Sequence, residues 1–179
     1  MFLFRLVQSF TSSRLSWGLL IIFSLMIEGC ALYFQYGLKL DPCVNCVYER
    51  ACIALFFLAG LIGFLLPQFK FFRIIASLVF LGASGIGLKI SIGHYIETIS
   101  TGFGASCAFK ANFPLIPLDE ILPWLFKAVG QCGPLNWSLM GLSMPQWLII
   151  IFGCGVLVSL VFLLSQFVST RRSFDRLYR

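Results

Sequence analysis

The chain reads as an all-α membrane protein, a four-transmembrane-helix bundle whose long non-cytoplasmic loop carries a short amphipathic helix. Composition is the first reason: 59% of its 179 residues are hydrophobic and only 11% charged, with a mean hydropathy of +0.95, far from the balance of a soluble domain. The second is length, because four apolar runs reach the roughly 20 residues that a bilayer-crossing helix needs. The third is the absence of the alternating pattern of barrel strands. Helices therefore remain as the structure that satisfies its own backbone in lipid.

The first run, Trp17 to Gly37, carries Glu28 near its middle. A carboxylate there is costly and marks a functional-site candidate, most simply neutral and hydrogen-bonded inside the bundle. The tetrapeptide Ile27, Glu28, Gly29, Cys30 loosely resembles a lipoprotein cleavage box, but it contains that carboxylate and apolar sequence continues through Ala31, Leu32, Tyr33 and Phe34. The run is expected to stay as a span.

A short loop, about 38–46, leads to the second span, Val47 to Leu66. It holds Cys43-Val44-Asn45-Cys46, a C-x-x-C motif directly after Pro42. Proline discourages helix before the motif, so Cys46 should sit at or near the N-terminus of the second helix. There the dipole and free N–H groups favour a thiolate. Arg50 follows one turn deeper on the same face. Its plainer role is to snorkel to headgroups or pair with Glu49.

The third span, Phe71 to Ile92, contains Gly82, Gly85 and Gly87, small residues that let helices approach closely. His94, the single histidine, follows at its end. A lone interfacial histidine is a polar anchor or a proton carrier. The loop to the fourth span, about 93–145, is too long and too apolar for a mere connector. Within it Leu118, Ile121, Leu122, Leu125 and Val129 recur at helical spacing, with Pro117 and Pro123 suited to helix starts. This predicts a segment lying flat on the membrane surface. The fourth span is Gln146 to Val168, so the chain forms one integral membrane domain, 1–179.

Topology follows from Lys and Arg, which collect in short cytoplasmic segments. Arg5, Arg14, Lys70, Arg73, Arg171, Arg172, Arg176 and Arg179 lie on one side; the other side holds Lys39, Lys110 and Lys127, offset by Asp41, Glu97, Asp119 and Glu120. Both termini are expected in the cytoplasm. The net charge of +6 then reports topology, and no soluble basic surface is left for nucleic acid.

The seven cysteines divide by depth. Cys30, Cys52 and Cys154 fall inside spans as small apolar packing residues. Cys43, Cys46, Cys107 and Cys132 all face the oxidising side, where disulfides persist. They are two structural staples or two redox pairs. No metal set is predicted, because Cys107 and Cys132 lack the spacing of a second zinc knuckle.

The run Pro42, Cys43, Val44, Asn45, Cys46, Val47, Tyr48, Glu49, Arg50 resembles the P-C-x-x-C-x-Y-E-R signature of the bacterial DsbB family. Glu28, His94, the second cysteine pair and Met144-Pro145-Gln146-Trp147 fit the same pattern over nearly the whole chain. Asn45 stands where apolar residues also occur in that family, which leaves the redox poise open. The resemblance implies an inner-membrane thiol:quinone oxidoreductase with ubiquinone or menaquinone as cofactor and a DsbA-like periplasmic thiol oxidase as partner. It implies that Cys107 forms the mixed disulfide, Cys132 is its redox mate, Cys43 exchanges with the loop pair and Cys46 faces the quinone. Arg50, Glu49 and His94 are then candidates for the quinone site. The alternatives are a related oxidase devoted to a specialised partner and a non-enzymatic membrane protein with two structural disulfides.

Overall fold

The structure, a computed structural model, describes residues 10–99, 118–130 and 138–167. Four long helices dominate: α1 (Arg14–Leu32), α2 (Val44–Leu65), α3 (Lys70–Ile99) and α6 (Met144–Phe167). Each is long and apolar enough to cross a membrane, and together they make the expected four-helix membrane bundle. α1 packs on α2, α2 on α3 and α3 on α6. Among the described residues between α3 and α6 lie two single-turn helices, α4 (Leu118–Ile121) and α5 (Pro123–Phe126), and a two-stranded hairpin, β1 (Ser138–Leu139) with β2 (Leu142–Ser143).

The core is aromatic. Phe56 stands edge-on to Phe80 at 4.8 Å and to Phe152 at 5.7 Å, and Trp17 edge-on to Phe162 at 5.0 Å, the offset geometries that ring quadrupoles prefer. Lipid supplies no hydrophobic force between helices, so close fit must hold them. A Cβ on Gly63 would collide with the Trp17 indole, and one on Gly87 with the Phe152 ring. Gly82 and Gly85, expected to do the same, would meet nothing within 4 Å. Three buried serines are satisfied within their own helices: Ser24 donates to the Leu20 carbonyl, Ser77 to Arg73 and Ser84 to Phe80. This polarity inside the bundle therefore leaves no orphaned hydroxyl at those positions.

Two helix ends differ from the sequence reading. α2 starts at Val44, because Cys43 takes the N-cap position and its sulfur accepts the Cys46 N–H. The motif is thus the first turn of the helix, where a loop was predicted. α3 continues to Ile99 although hydropathy falls after Ile92, because the polar residues on that last stretch have partners: Asn45 donates to Glu97 at 2.7 Å and His94 is buried.

α1 ends in a widened π turn, Tyr33–Gly37, a feature frequent at functional sites. The chain then reverses through Lys39, whose φ of 54° lies in the left-handed region.

The loop segment from Leu118 to Gly130 is not one continuous helix with a single apolar stripe. Leu118, Leu122, Leu125 and Phe126 instead pack on Val44 and Val47 of α2, while Ile121 and Val129 are exposed. The physical reason is Pro123, which starts a new turn at α5 and breaks the continuous helix that a single stripe requires.

Candidate functional site

The site forms where the N-terminus of α2 meets the C-terminal part of α3 at one end of the bundle. Arg14, Lys70 and Arg73, by contrast, begin helices at the other end. The sulfurs of Cys43 and Cys46 lie 2.9 Å apart, within reach of the bond that would join them. Cys43 is buried and Cys46 half-buried.

The two sulfurs face different surroundings. His94 Nε2 lies 3.6 Å from Cys43 Sγ, and its Nδ1 lies 3.2 and 3.3 Å from the two carboxylate oxygens of Glu49. His94 and Glu49 are each 2% exposed. Glu49 thus orients the ring while the far nitrogen meets sulfur, the relation of an acid, an imidazole and a nucleophile. The hydrogen bond from Cys46 holds the Cys43 thiol well below its ordinary range; burial opposes this, and His94 reinforces it. Cys43 is therefore the sulfur favoured as thiolate, chiefly through the Cys46 thiol and only lastly through the backbone N–H at the helix start, whereas the sequence placed the benefit on Cys46.

Cys46 lines a cleft of about 350 Å³ between α1, α2 and α6. Its walls are largely apolar, with Phe23, Met26, Ile27, Phe34, Trp147 and Ile151 among them. Into this surface project Glu28, Gln35, Glu49 and Arg50. Arg50 donates to Gln35 Oε1 at 2.6 Å and to the Leu125 carbonyl at 2.9 Å. Its Nε lies 3.7 Å from Glu28 Oε1. Arg50 does not pair with Glu49, which is committed to His94. Glu28 was expected to be hydrogen-bonded, yet both its carboxylate oxygens are buried without a hydrogen-bond partner. A concave apolar site of this size with a few convergent polar groups suits a small planar ligand. A quinone would fit this lining: Arg50 and the Gln35 amide could hold a carbonyl oxygen, the Glu28 oxygens, one of them ion-paired with Arg50, could accept from a hydroxyl, and the apolar walls could take a ring and its tail.

Cys107 and Cys132 lie outside the described residues. The chain just before Cys132 is nonetheless held against the site. Val129 and Gly130 both donate their backbone N–H to the Pro42 carbonyl, at 3.1 and 3.0 Å. Tyr36 donates to the Trp124 carbonyl at 2.6 Å. Gly130 is there because a Cβ would collide with the Asp41 carbonyl oxygen. Residue 130 is thus bonded to the residue before Cys43, and two further residues span at most about 7 Å.

Of the predicted site residues, Cys43, Cys46, Glu49, Arg50 and His94 come together. His94 touches Cys43 and does not line the cleft. Gln35, Tyr36 and Gly130 were missed. A glutamine and a tyrosine at a span end are ordinary interfacial residues by sequence, and Gly130 has no local signal because its neighbour is 89 positions away.

A family model described as "Disulfide bond formation protein DsbB" matches residues 13–162. Relatives named "Disulfide bond formation protein B" include one from Histophilus somni, 39% identical over 93% of this chain and 94% of the relative. One from Haemophilus influenzae is 40% identical over 93% and 95%, and one from Psychromonas ingrahamii is 39% identical over 96% and 93%.

Proposed function

This chain belongs to the DsbB family of disulfide bond formation proteins, and from that premise we propose that it is an inner-membrane thiol:quinone oxidoreductase. It reoxidises a DsbA-like periplasmic dithiol protein and passes the electrons to ubiquinone or menaquinone. The observation that carries this reading is the position of the C-x-x-C pair: one sulfur faces a buried imidazole and carboxylate, and the other faces an apolar cleft with an arginine. A structural staple needs neither environment.

The relay runs by thiolate attack on sulfur. A partner thiolate attacks Cys107 of the Cys107–Cys132 disulfide, forming a mixed disulfide and freeing Cys132. The docked segment ending at Gly130 supports the next exchange, in which Cys132 attacks Cys43 and releases Cys46. The partner's second thiolate then resolves the mixed disulfide, leaves as the disulfide form and frees Cys107. Cys107 in turn attacks Cys132, restoring the loop disulfide and freeing Cys43.

The Cys43–His94–Glu49 row stabilises the Cys43 sulfur as a thiolate and can hold its proton. Arg50 places a fixed cation on the cleft side, near the Cys46 sulfur. Quinone bound in the cleft would supply the two-electron sink that regenerates the Cys43–Cys46 disulfide. A strongly oxidising partner demands a stronger acceptor than a thiol pool, and a quinone meets that demand. The Lys and Arg bias of the sequence supports cytoplasmic termini and periplasmic cysteines.

The test uses the purified chain with quinone and a reduced periplasmic dithiol oxidase, following quinone absorbance. The parent consumes quinone and Cys46→Ser does not; equal consumption by both would sink the relay. Cys132→Ser is expected to accumulate a mixed disulfide through Cys107. The identity of the captured protein then separates a general oxidase from one with a dedicated partner.

A further inference from the structure

We propose that the dithiol form of this chain carries a zinc site made of Cys43, Cys46 and His94. Their ligand atoms all lie within 4.8 Å of one another, although His94 comes from another helix and the sequence showed no metal set. Zinc–sulfur and zinc–nitrogen bonds of about 2.3 and 2.0–2.1 Å in a tetrahedron put two sulfurs about 3.7 Å apart and sulfur about 3.5 Å from nitrogen. Cys43 Sγ to His94 Nε2 is already 3.6 Å. The sulfurs, at 2.9 Å, need only separate by less than about 1 Å, a side-chain rotation.

A second observation points the same way. His94 presents Nε2 to the sulfurs and Nδ1 to Glu49, the carboxylate–histidine arrangement that fixes the ring of a metal ligand. Cys46 lines the cleft, which provides an entry path and leaves the fourth coordination position open to water.

On binding, two zinc–sulfur bonds and one zinc–nitrogen bond form, the remaining thiol protons leave to solvent, and no electron moves. A disulfide offers no thiolate, so zinc and the oxidised pair exclude each other. Zinc would therefore arrest the relay in its dithiol state. Only this consequence rests on the proposed function; the site itself does not.

The experiment takes the full chain with Cys107→Ser and Cys132→Ser, reduced, freed of reductant without air, and titrated with zinc against a chromogenic chelator. One equivalent per chain is expected, with none after reoxidation of Cys43 and Cys46. Cys46→Ser should weaken binding at least 100-fold, and Glu49→Gln about 10- to 100-fold. His94→Gln should weaken binding as Cys46→Ser does; helical circular dichroism of each variant checks folding, and Glu49→Gln carries the test should His94→Gln fail it. Unchanged affinity in Cys46→Ser and Glu49→Gln, or equal binding by the oxidised chain, would assign the metal to Cys30, Cys52 or Cys154 and overturn the proposal. No quinone or partner is present, so this failure leaves the relay standing.

Discussion

The two sulfurs of one motif, three residues apart on the first turn of α2, live in opposite surroundings. Cys43 meets His94, which Glu49 holds, and its neighbour Pro42 is bonded to the docked loop segment. Cys46 looks into an apolar cleft whose fixed charge is Arg50. The difference teaches that a helix N-terminus alone does not decide what each cysteine does. The cap geometry gives Cys43 the backbone hydrogen bond, and neighbouring helices supply the rest: α3 on one side, α1 and α6 on the other.

The contrast can be broken at several points. Cys46→Ser removes a cysteine that lines the cleft and should reduce quinone consumption to the uncatalysed rate, as read by quinone absorbance. Arg50→Met removes hydrogen bonds to a charged group, each about 1.5–3 kcal/mol, or about 10- to 100-fold. The expected outcome is a rise of that size in the KM for quinone, with the KM for the dithiol partner unmoved.

On the Cys43 side, His94→Gln removes a contact that lowers the Cys43 pKa. The parent sulfur, held below the ordinary value near 8.5, stays a thiolate across neutral pH in the reduced chain. In the variant the midpoint rises, so as pH falls the thiolate is lost at a higher pH than in the parent. Thiolate ultraviolet absorbance against pH measures the shift, and an unchanged midpoint would refute the role. The smallest effect sharpens the contrast. Gly130→Ala, at an overpacking cost of about 1–3 kcal/mol, should slow partner-driven turnover while leaving turnover with a small dithiol near the parent rate. Equal slowing with both donors would mean that the glycine serves the fold alone.

Much of this was legible in the sequence because hydropathy governs span formation. The four helices follow from composition and length, and Glu28, Arg50 and the C-x-x-C motif stood out as polar features at membrane depth. The end of α3 was not legible. Hydropathy marks where apolar sequence stops, while the helix continues because Asn45 and Glu49 bind Glu97 and His94 across the bundle. Gln35 was hidden for a related reason. Its role depends on the π turn that rotates it toward Arg50, and no residue of Tyr33–Gly37 announces that turn. The single apolar stripe in 118–129 misled because periodicity was read across Pro123.

The docked segment is held mostly through its peptide groups: the carbonyls of Trp124 and Leu125 and the amides of Val129 and Gly130 make the bonds. Every residue type offers the same groups. Side-chain identity matters at Leu118, Leu122, Leu125 and Phe126, which fill the apolar seat, and at Gly130. The exposed positions Ile121, Trp124 and Val129 are then free to diverge without losing alignment. Such an attachment is interchangeable: a loop taken from a relative with these residues in register should seat itself on this scaffold, so its exposed face can be exchanged as a cassette.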